Sequence, residues 1–245
     1  METISKNDIL FISDLHLSDK RPDLNKAFVD FCSTKVINAK RLYILGDLFD
    51  AWIGDDNSSI TANLVIDQLK NLNLNNVEVF FMHGNRDFLV GNHFEKMTCC
   101  NILPDPYIIN ECNKKILLMH GDSLCTDDEE YILFRDHIRQ ENVKKEILSK
   151  TIEERIKLAK DLRNKSKSAN ATKTEDIMDA SDTTVLNKMK EHNVKILIHG
   201  HTHRPMVHEV SKINGLRYVL GDWDTKGWYI KLNPSKLDLL SFDIS

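Results

Sequence analysis

Residues able to bind a metal recur in this chain where apolar runs end. Ile9-Leu10-Phe11-Ile12 leads into Ser13-Asp14-Leu15-His16, which sets a carboxylate and an imidazole two residues apart. Residues so spaced in extended backbone point to the same side, so both can reach one ion. The pattern returns four times. Arg41-Leu42-Tyr43-Ile44-Leu45 ends in Gly46-Asp47, and Val77 to Met82 ends in His83-Gly84-Asn85. Lys115 to Met119 ends in His120-Gly121, and Val194 to Ile198 ends in His199-Gly200-His201-Thr202-His203. Asp14, His16, Asp47, Asn85, His120, His201 and His203 make seven oxygen and nitrogen donors without a thiolate. That is too many for one tetrahedral zinc and suits two octahedral or five-coordinate ions. Carboxylate, amide oxygen and imidazole favour Mn²⁺, with Mg²⁺, Fe²⁺, Co²⁺ and Zn²⁺ open. Divalent ions bound by such donors can lower the pKa of a bound water. Any one of these residues alone, His120 for example, reads better as a satisfied core histidine; the recurrence carries the metal reading.

Such donors converge only if their strands lie side by side, with the carboxyl ends at one edge of an open α/β sheet. Gly46 permits a sharp turn that aims Asp47 at the edge occupied by Asp14. Between the strands, Asn25 to Val36 carries Ala27, Phe28, Phe31 and Cys32 at helical spacing, and Ser59 to Asn71 reads as an amphipathic helix. A shorter piece with Pro104 and Pro106 reads as irregular. Arg217–Leu220, Trp228–Leu232 and Leu237–Phe242 read as strands in an antiparallel finish. Strands alternating with helices early and dominating late indicate a layered α/β sandwich.

Residues 127–182 differ in character. They contain no Pro, Gly or strand-like run, and charge is dense at Glu141-Asn142-Val143-Lys144-Lys145-Glu146 and Glu153-Glu154-Arg155. Ile147, Leu148, Ile152, Ile156 and Leu162 keep roughly helical spacing. The segment reads as a helical insertion dividing a core of residues 1–126 and 183–245. A cap over the site and a solvent-facing helical hairpin both fit it.

A chain of 245 residues suits one large domain with an insertion. A net charge of -4, with basic residues spread along the chain outside the Lys144–Lys173 region, argues against nucleic acid as a partner. Met1 to Lys6 lack the pattern of a signal peptide. No run approaches the ~18 apolar residues that span a bilayer. Cys32, Cys99, Cys100, Cys112 and Cys125 form an odd set without C-x-x-C spacing, which suggests a reduced, cytoplasmic protein. A monomer is expected.

In order and spacing, Asp14-x-His16, Gly46-Asp47, Gly84-Asn85, His120-Gly121 and Gly200-His201-x-His203 resemble the five blocks of the calcineurin-like metallophosphoesterases. The resemblance implies a four-layer αββα sandwich in which Asp14, His16 and His203 hold one ion. Asn85, His120 and His201 would hold the other, Asp47 would bridge them, and a metal-bound hydroxide would attack. Most members place a His after the block-three Asn to protonate the leaving group, where this chain has Arg86. A guanidinium does not deprotonate, but it can grip phosphate oxygens bidentately and stabilise transition-state charge. A leaving group that is itself a phosphate ester needs no strong acid, which fits a pyrophosphate substrate. His83 and His199 read as packing or supporting residues. Asp50, Asp55 and Asp56 read as solvated or structural.

Leu45–Asp56, His83–Leu89, His120–Asp128 and Leu197–Pro205 further resemble the UDP-2,3-diacylglucosamine pyrophosphohydrolases of lipid A biosynthesis, from Ile9 to about Lys231. This implies water attack at the α-phosphorus, giving UMP and 2,3-diacylglucosamine 1-phosphate (lipid X). It also implies peripheral attachment to the cytoplasmic face of the inner membrane of a Gram-negative bacterium. Substrate-binding positions carried over are Asn85, Arg86, Asp128, Ser166, Asn170, Lys173 and His201. Ser166, Asn170 and Lys173 fall at i, i+4 and i+7, one face of a helix. Phe134, Ile138, Ile147, Leu148 and Ile152 either line a groove for acyl chains or pack the cap helices. The charges at Lys144-Lys145-Glu146 point away from a strongly apolar, membrane-facing cap. Asp222, in Gly221-Asp222-Trp223-Asp224, is assigned no role. Two alternatives stand beside this reading: a dimetal phosphoesterase for a soluble nucleotide or phosphoprotein, and an inactive scaffold of the same fold, which should have lost ligands.

Overall fold

The computed structural model describes residues 3–170 and 177–244, without the side chains of Lys167, Ala169 and Asn170. The first apolar run is strand β1 (Ile9–Ile12), and all four of its residues are buried. It pairs in parallel with β2 (Arg41–Ile44), which pairs with β3 (Glu78–Met82), which pairs with a short β4 (Asn101–Leu103). On its other side β1 lies antiparallel to β10 (Lys226–Leu232), itself antiparallel to β11 (Leu237–Asp243). The second sheet runs β5-β6-β7-β9-β8, formed by Tyr107–Glu111, Lys114–Leu118, Ile196–His199, Gly215–Val219 and Met206–Val210 respectively.

Strand periodicity of two divides the core into three layers. Ile9 and Phe11 face the second sheet and join Ile116, Leu118, Ile198 and Ile230 between the sheets. Leu10 and Ile12 face the opposite way, among residues of helices α1 (Pro22–Thr34), α2 (Ile60–Leu74) and α3 (Asn92–Thr98). Leu117 and Leu197 of the second sheet pack against Val185 and Met189 of α7 (Asp182–Glu191). The layers are therefore helix, sheet, sheet, helix, and the sandwich expected from the sequence is the one observed. Pro22 starts α1 at its first turn, where no backbone donor is lost, so the helix begins before the expected Asn25. The Ser59 side chain accepts from the Ala62 N–H to cap α2.

Three expectations need correction. The stretch read as irregular holds α3, β4 and β5; β4 is too short to show a period. Strand β8, Met206–Val210, gave no signal because its residues are mostly exposed or half-buried. The finish is only partly antiparallel, since β9 runs parallel to β7 and antiparallel to β8. Between β6 and α7 lie α4 (Glu129–Ile138), α5 (Glu141–Leu148) and α6 (Ile152–Asn170). Ile138 and Ile147 are buried and pack into the core cluster that holds α1 and α2, so they do not line a groove. Leu133, Phe134, Leu148 and Ile156 are exposed.

Candidate metal centre

The parallel strands β1, β2 and β3 deliver Asp14, Asp47 and Asn85 to one edge of the first sheet, while β6 and β7 deliver His120, His201 and His203 from the second. Asp14, His16, Asp47, His201 and His203 all have φ between 51° and 68°. Left-handed backbone is uncommon for residues with a Cβ and collects at functional sites where the surroundings enforce it. Here the enforcement is visible in the glycines. A Cβ on Gly84 would overlap the Asp47 carboxylate and backbone, and one on Gly200 would overlap Asp14 and Ser13. Those glycines let neighbouring loops close directly onto the donors.

The seven donors fall into two groups around Asp47. In one, His203 Nε2 lies 3.3 Å from His16 Nε2 and 3.4 Å from Asp14 Oδ1. In the other, Asn85 Oδ1 lies 3.0 Å from His120 Nε2 and 2.9 Å from His201 Nδ1. Asp47 stands between them, with Oδ2 at 4.0 Å from His16 Nδ1 and Oδ1 at 3.9 Å from His120 Nε2. Asp14, His16 and His203, and likewise Asp14, Asp47 and His120, present ligand atoms within 4.8 Å of one another. All seven sequence candidates are thus brought together.

The surroundings fit divalent cations. Asp14, Asp47 and His120 are almost wholly buried, yet Asp14 Oδ1 and His16 Nδ1 have no hydrogen-bond partner. Buried polar atoms are nearly always satisfied, so orphans on two of the candidate donors fit residues that await a ligand. Burial lifts the Asp47 carboxyl to about 7, a penalty that a nearby cation would reverse. Burial, then the charge of His120, pushes His201 down to about 3, which leaves a neutral imidazole able to donate to a metal. Burial would raise Asp14 as well, but the His203 imidazole 3.4 Å away and the other neighbouring imidazoles hold it well below the usual carboxylate range.

Supporting groups fix these donors. His120 Nδ1 lies 2.8 Å from the Leu45 carbonyl, a bond that makes Nδ1 the protonated nitrogen and leaves the Nε2 lone pair for the site. Asp87, fully buried, accepts from the backbone N–H of Gly84, Leu48 and Asp47, tying the second and third blocks together. Asp222 Oδ2 lies 3.5 Å from His203 Nδ1, so it does stand behind a donor. His83 bonds the Val90 carbonyl, and His199 is buried beside the Gly200 carbonyl, as packing and supporting residues. Asp55 accepts from the N–H groups of Gly91, His93 and Phe94 at the start of α3, and Asp56 pairs with Arg155 of α6. Both are structural, as read. The roles of Asp87 and Asp222 were missed because nothing in their local spacing points to partners so distant in the chain or across a loop.

The donors open into a cleft of about 250 Å³. Asp47, Asn85, Arg86, His201 and His203 line its core side, and Asp128, Tyr131 and Ser166 line the insertion side. Asp128 also caps α4, accepting from the Tyr131 N–H, and the Tyr131 ring stacks on His201 with centroids 5.8 Å apart. Tyr131 was not singled out from sequence, where one aromatic in a helix carries no signal. The Arg86 N–H donates to Asp47 Oδ1 at 2.8 Å, and its guanidinium Nε is 3.5 Å from Asp47 Oδ2. Lys173 lies outside the described residues, as does the side chain of Asn170.

The family model described as Calcineurin-like phosphoesterase matches residues 8–205. Proteins named UDP-2,3-diacylglucosamine hydrolase are similar over nearly the whole chain. The one from Chromohalobacter salexigens is 45% identical, covering 95% of this chain and 97% of its own. The one from Marinobacter nauticus is 43% identical, covering 93% and 94%. Among solved structures, an archaeal phosphodiesterase aligns with a TM-score of 0.50 at 16% identity, covering 96% of this chain and 99% of its own. Vacuolar protein sorting 29 from Cryptosporidium parvum aligns with a TM-score of 0.52 at 14% identity, covering 98% and 92%. At such identity these two speak to the fold alone.

Proposed function

We propose a function that proceeds from membership: the chain belongs to the calcineurin-like phosphoesterases, and within them to the UDP-2,3-diacylglucosamine hydrolases. It hydrolyses the pyrophosphate of UDP-2,3-diacylglucosamine by water attack at the α-phosphorus, giving UMP and 2,3-diacylglucosamine 1-phosphate in lipid A synthesis. The observation that carries this reading is Asp47 standing between two donor triads with the Arg86 guanidinium beside it.

Asp14, His16 and His203 would hold one ion, Asn85, His120 and His201 the other, and Asp47 would contact both. Two divalent ions, when bound, supply a nucleophilic water near neutral pH and offset charge on the phosphoryl oxygens. Mn²⁺ suits this mixture of carboxylate, amide oxygen and imidazole. A guanidinium is no general acid, so the part of Arg86 is to grip phosphate oxygens and stabilise charge that grows in the transition state. The departing sugar phosphate is stable as an anion, which explains how a site with arginine at this position works without a strong acid.

Residues 127–182 act as a cap. Asp128 and Ser166 line the cleft from that side and would meet the sugar; Asn170 and Lys173 join them as proposed substrate contacts on the family resemblance alone. Leu133, Phe134, Leu148 and Ile156 expose apolar surface on the cap helices, which supports placing the acyl chains and a peripheral contact with lipid there. No helix among the described residues is long and apolar enough to cross a membrane. In this reading the protein works as a monomer, attached through this surface to the cytoplasmic face of the inner membrane. The test is UMP release from UDP-2,3-diacylglucosamine in detergent micelles after chelator treatment, with and without added Mn²⁺. Metal-dependent release is expected. Hydrolysis of an aryl phosphodiester without UMP release would discard the lipid substrate, and failure of both would favour a scaffold.

A further inference from the structure

Asp50 reads from sequence as a solvated or structural acid, yet its carboxylate lies between two arginines from distant parts of the chain. Oδ1 accepts from Arg86 Nη1 at 2.9 Å, and Oδ2 bonds Arg163 Nη1 of helix α6. The side chain of Asp50 is 21% exposed, that of Arg86 29% and that of Arg163 43%. The backbone beneath is fixed. The Asp50 N–H donates to the Leu17 carbonyl at 3.0 Å, next to the bridge joining Leu17 and Phe49. The Trp52 N–H donates to the Arg86 carbonyl at 2.9 Å, and Phe49 and Trp52 are buried in the core. Asp50 therefore meets Arg86 from a rigid seat, on the side of the guanidinium away from Asp47.

We propose that Asp50 is a positioning residue, which aims the Arg86 guanidinium at the phosphate site and, through Arg163, makes that aim depend on the seating of α6. This deepens the hydrolase reading above and rests on it for its kinetic consequence. An arginine side chain has several rotatable bonds, and a hydrogen bond at Nη1 with a second carboxylate near Nε restricts it. Asp50 accepts from Nη1 at 2.9 Å and Asp47 Oδ2 lies 3.5 Å from Nε as an ion pair, which leaves Nη2 as the donor least engaged by the described residues. Asp50 also keeps two guanidinium groups close together that would otherwise repel. A phosphate entering the cleft competes with Asp50 for Arg86, which lines it, so removing the Asp50 carboxylate weakens aim more than it weakens substrate attraction. Geometry at the reacting centre governs turnover, and the expected signature is a fall in kcat without a rise in KM.

The test uses Asp50→Asn, Asp50→Glu, Arg86→Ala and the double variant, each as the full chain with metal content measured. In the metal-free protein, nitrogen-15 spectra of the arginine side chains, assigned with Arg86→Lys, should show slow guanidinium rotation for Arg86. That slow rotation should be lost in Asp50→Asn and recovered in Asp50→Glu. In UMP release, Asp50→Asn should lower kcat by about tenfold or more with KM unchanged or lower, a loss of the size expected for misplacing a transition-state donor. Arg86→Ala and the double variant should be alike, since residues acting as a unit do not add. Unchanged Arg86 rotation in Asp50→Asn, a kcat within about twofold of wild type, or losses that simply multiply in the double variant would each overturn the assignment. A wild-type protein releasing no UMP, but with Asp50-dependent order at Arg86, would remove the substrate reading and leave the positioning intact.

Discussion

Replacing Asp87 by Asn probes how the site is assembled without touching a donor. Asp87 Oδ1 accepts from the Gly84 N–H at 2.7 Å and the Asp47 N–H at 3.3 Å, while Oδ2 accepts from the Leu48 N–H at 2.8 Å. Asparagine has nearly the same shape but turns one acceptor into a donor. With its oxygen toward Gly84 and Asp47, its NH₂ faces the Leu48 N–H and leaves a buried donor unsatisfied. One such orphan costs about 1–3 kcal/mol, which for a chain of this size is a fall of about 2–12 °C in Tm. The ions should feel it too, because Asp47 and Asn85 sit on the loops that Asp87 joins. The assay is thermal unfolding in chelator and again in saturating Mn²⁺, with Asp243→Asn, on an exposed position, as control. The variant should melt lower in chelator and gain less from metal than wild type, since the shift from bound ions follows their affinity. Equal Tm values and equal metal shifts would refute the claim that Asp87 holds the second and third blocks together.

Other perturbations follow from the same contacts. Gly84→Ala puts a Cβ against the Asp47 carboxylate and backbone, so it should abolish metal binding by elemental analysis while the strands stay folded by circular dichroism. Arg86→Ala should cut UMP turnover by about 10²-fold or more, as loss of a transition-state donor does, with two ions still bound per chain. Arg155, 3% exposed, donates to the Ile53 carbonyl at 2.6 Å and to Asp56, fastening α6 to the loop after β2. Arg155→Ala should destabilise by about 1–3 kcal/mol at neutral pH. The hydrogen bond from Arg155 holds the Asp56 carboxyl below its usual value of 3.8, so the stability it confers is present above that pH and fades as acid protonates it. The gap between wild type and Arg155→Ala in urea unfolding should therefore be full above pH 3.8 and narrow as acid is added below it.

Much of the site was legible because its donors are local to strand ends. A run such as Ile9 to Ile12, buried on both faces, announces a core strand, and the residues following it must emerge at the sheet edge. Five such ends therefore converge, and the seven donors were readable before any geometry was known. What local pattern could not carry was the partnership between those ends. Asp87 and Asp50 look alike in sequence, each an acid near a glycine-containing block, yet one gathers three N–H groups and the other two arginines. The left-handed backbone at Asp14, His16, Asp47, His201 and His203 also had no residue-type signal, because these are not glycines. Strand β8 and the short β4 went unread for a different reason. A strand with no buried residue, or one of only three residues, is too little to set a period.

The central claim is that water attacks the α-phosphorus of UDP-2,3-diacylglucosamine at the site centred on Asp47. The direct measurement is turnover with Mn²⁺ in ¹⁸O-labelled water, followed by mass spectrometry of both products, with Asp47→Ala run in parallel. The account predicts one labelled oxygen in UMP, none in the sugar phosphate, and no turnover in a folded Asp47→Ala protein. Label in the sugar phosphate, or full turnover without Asp47, would contradict it.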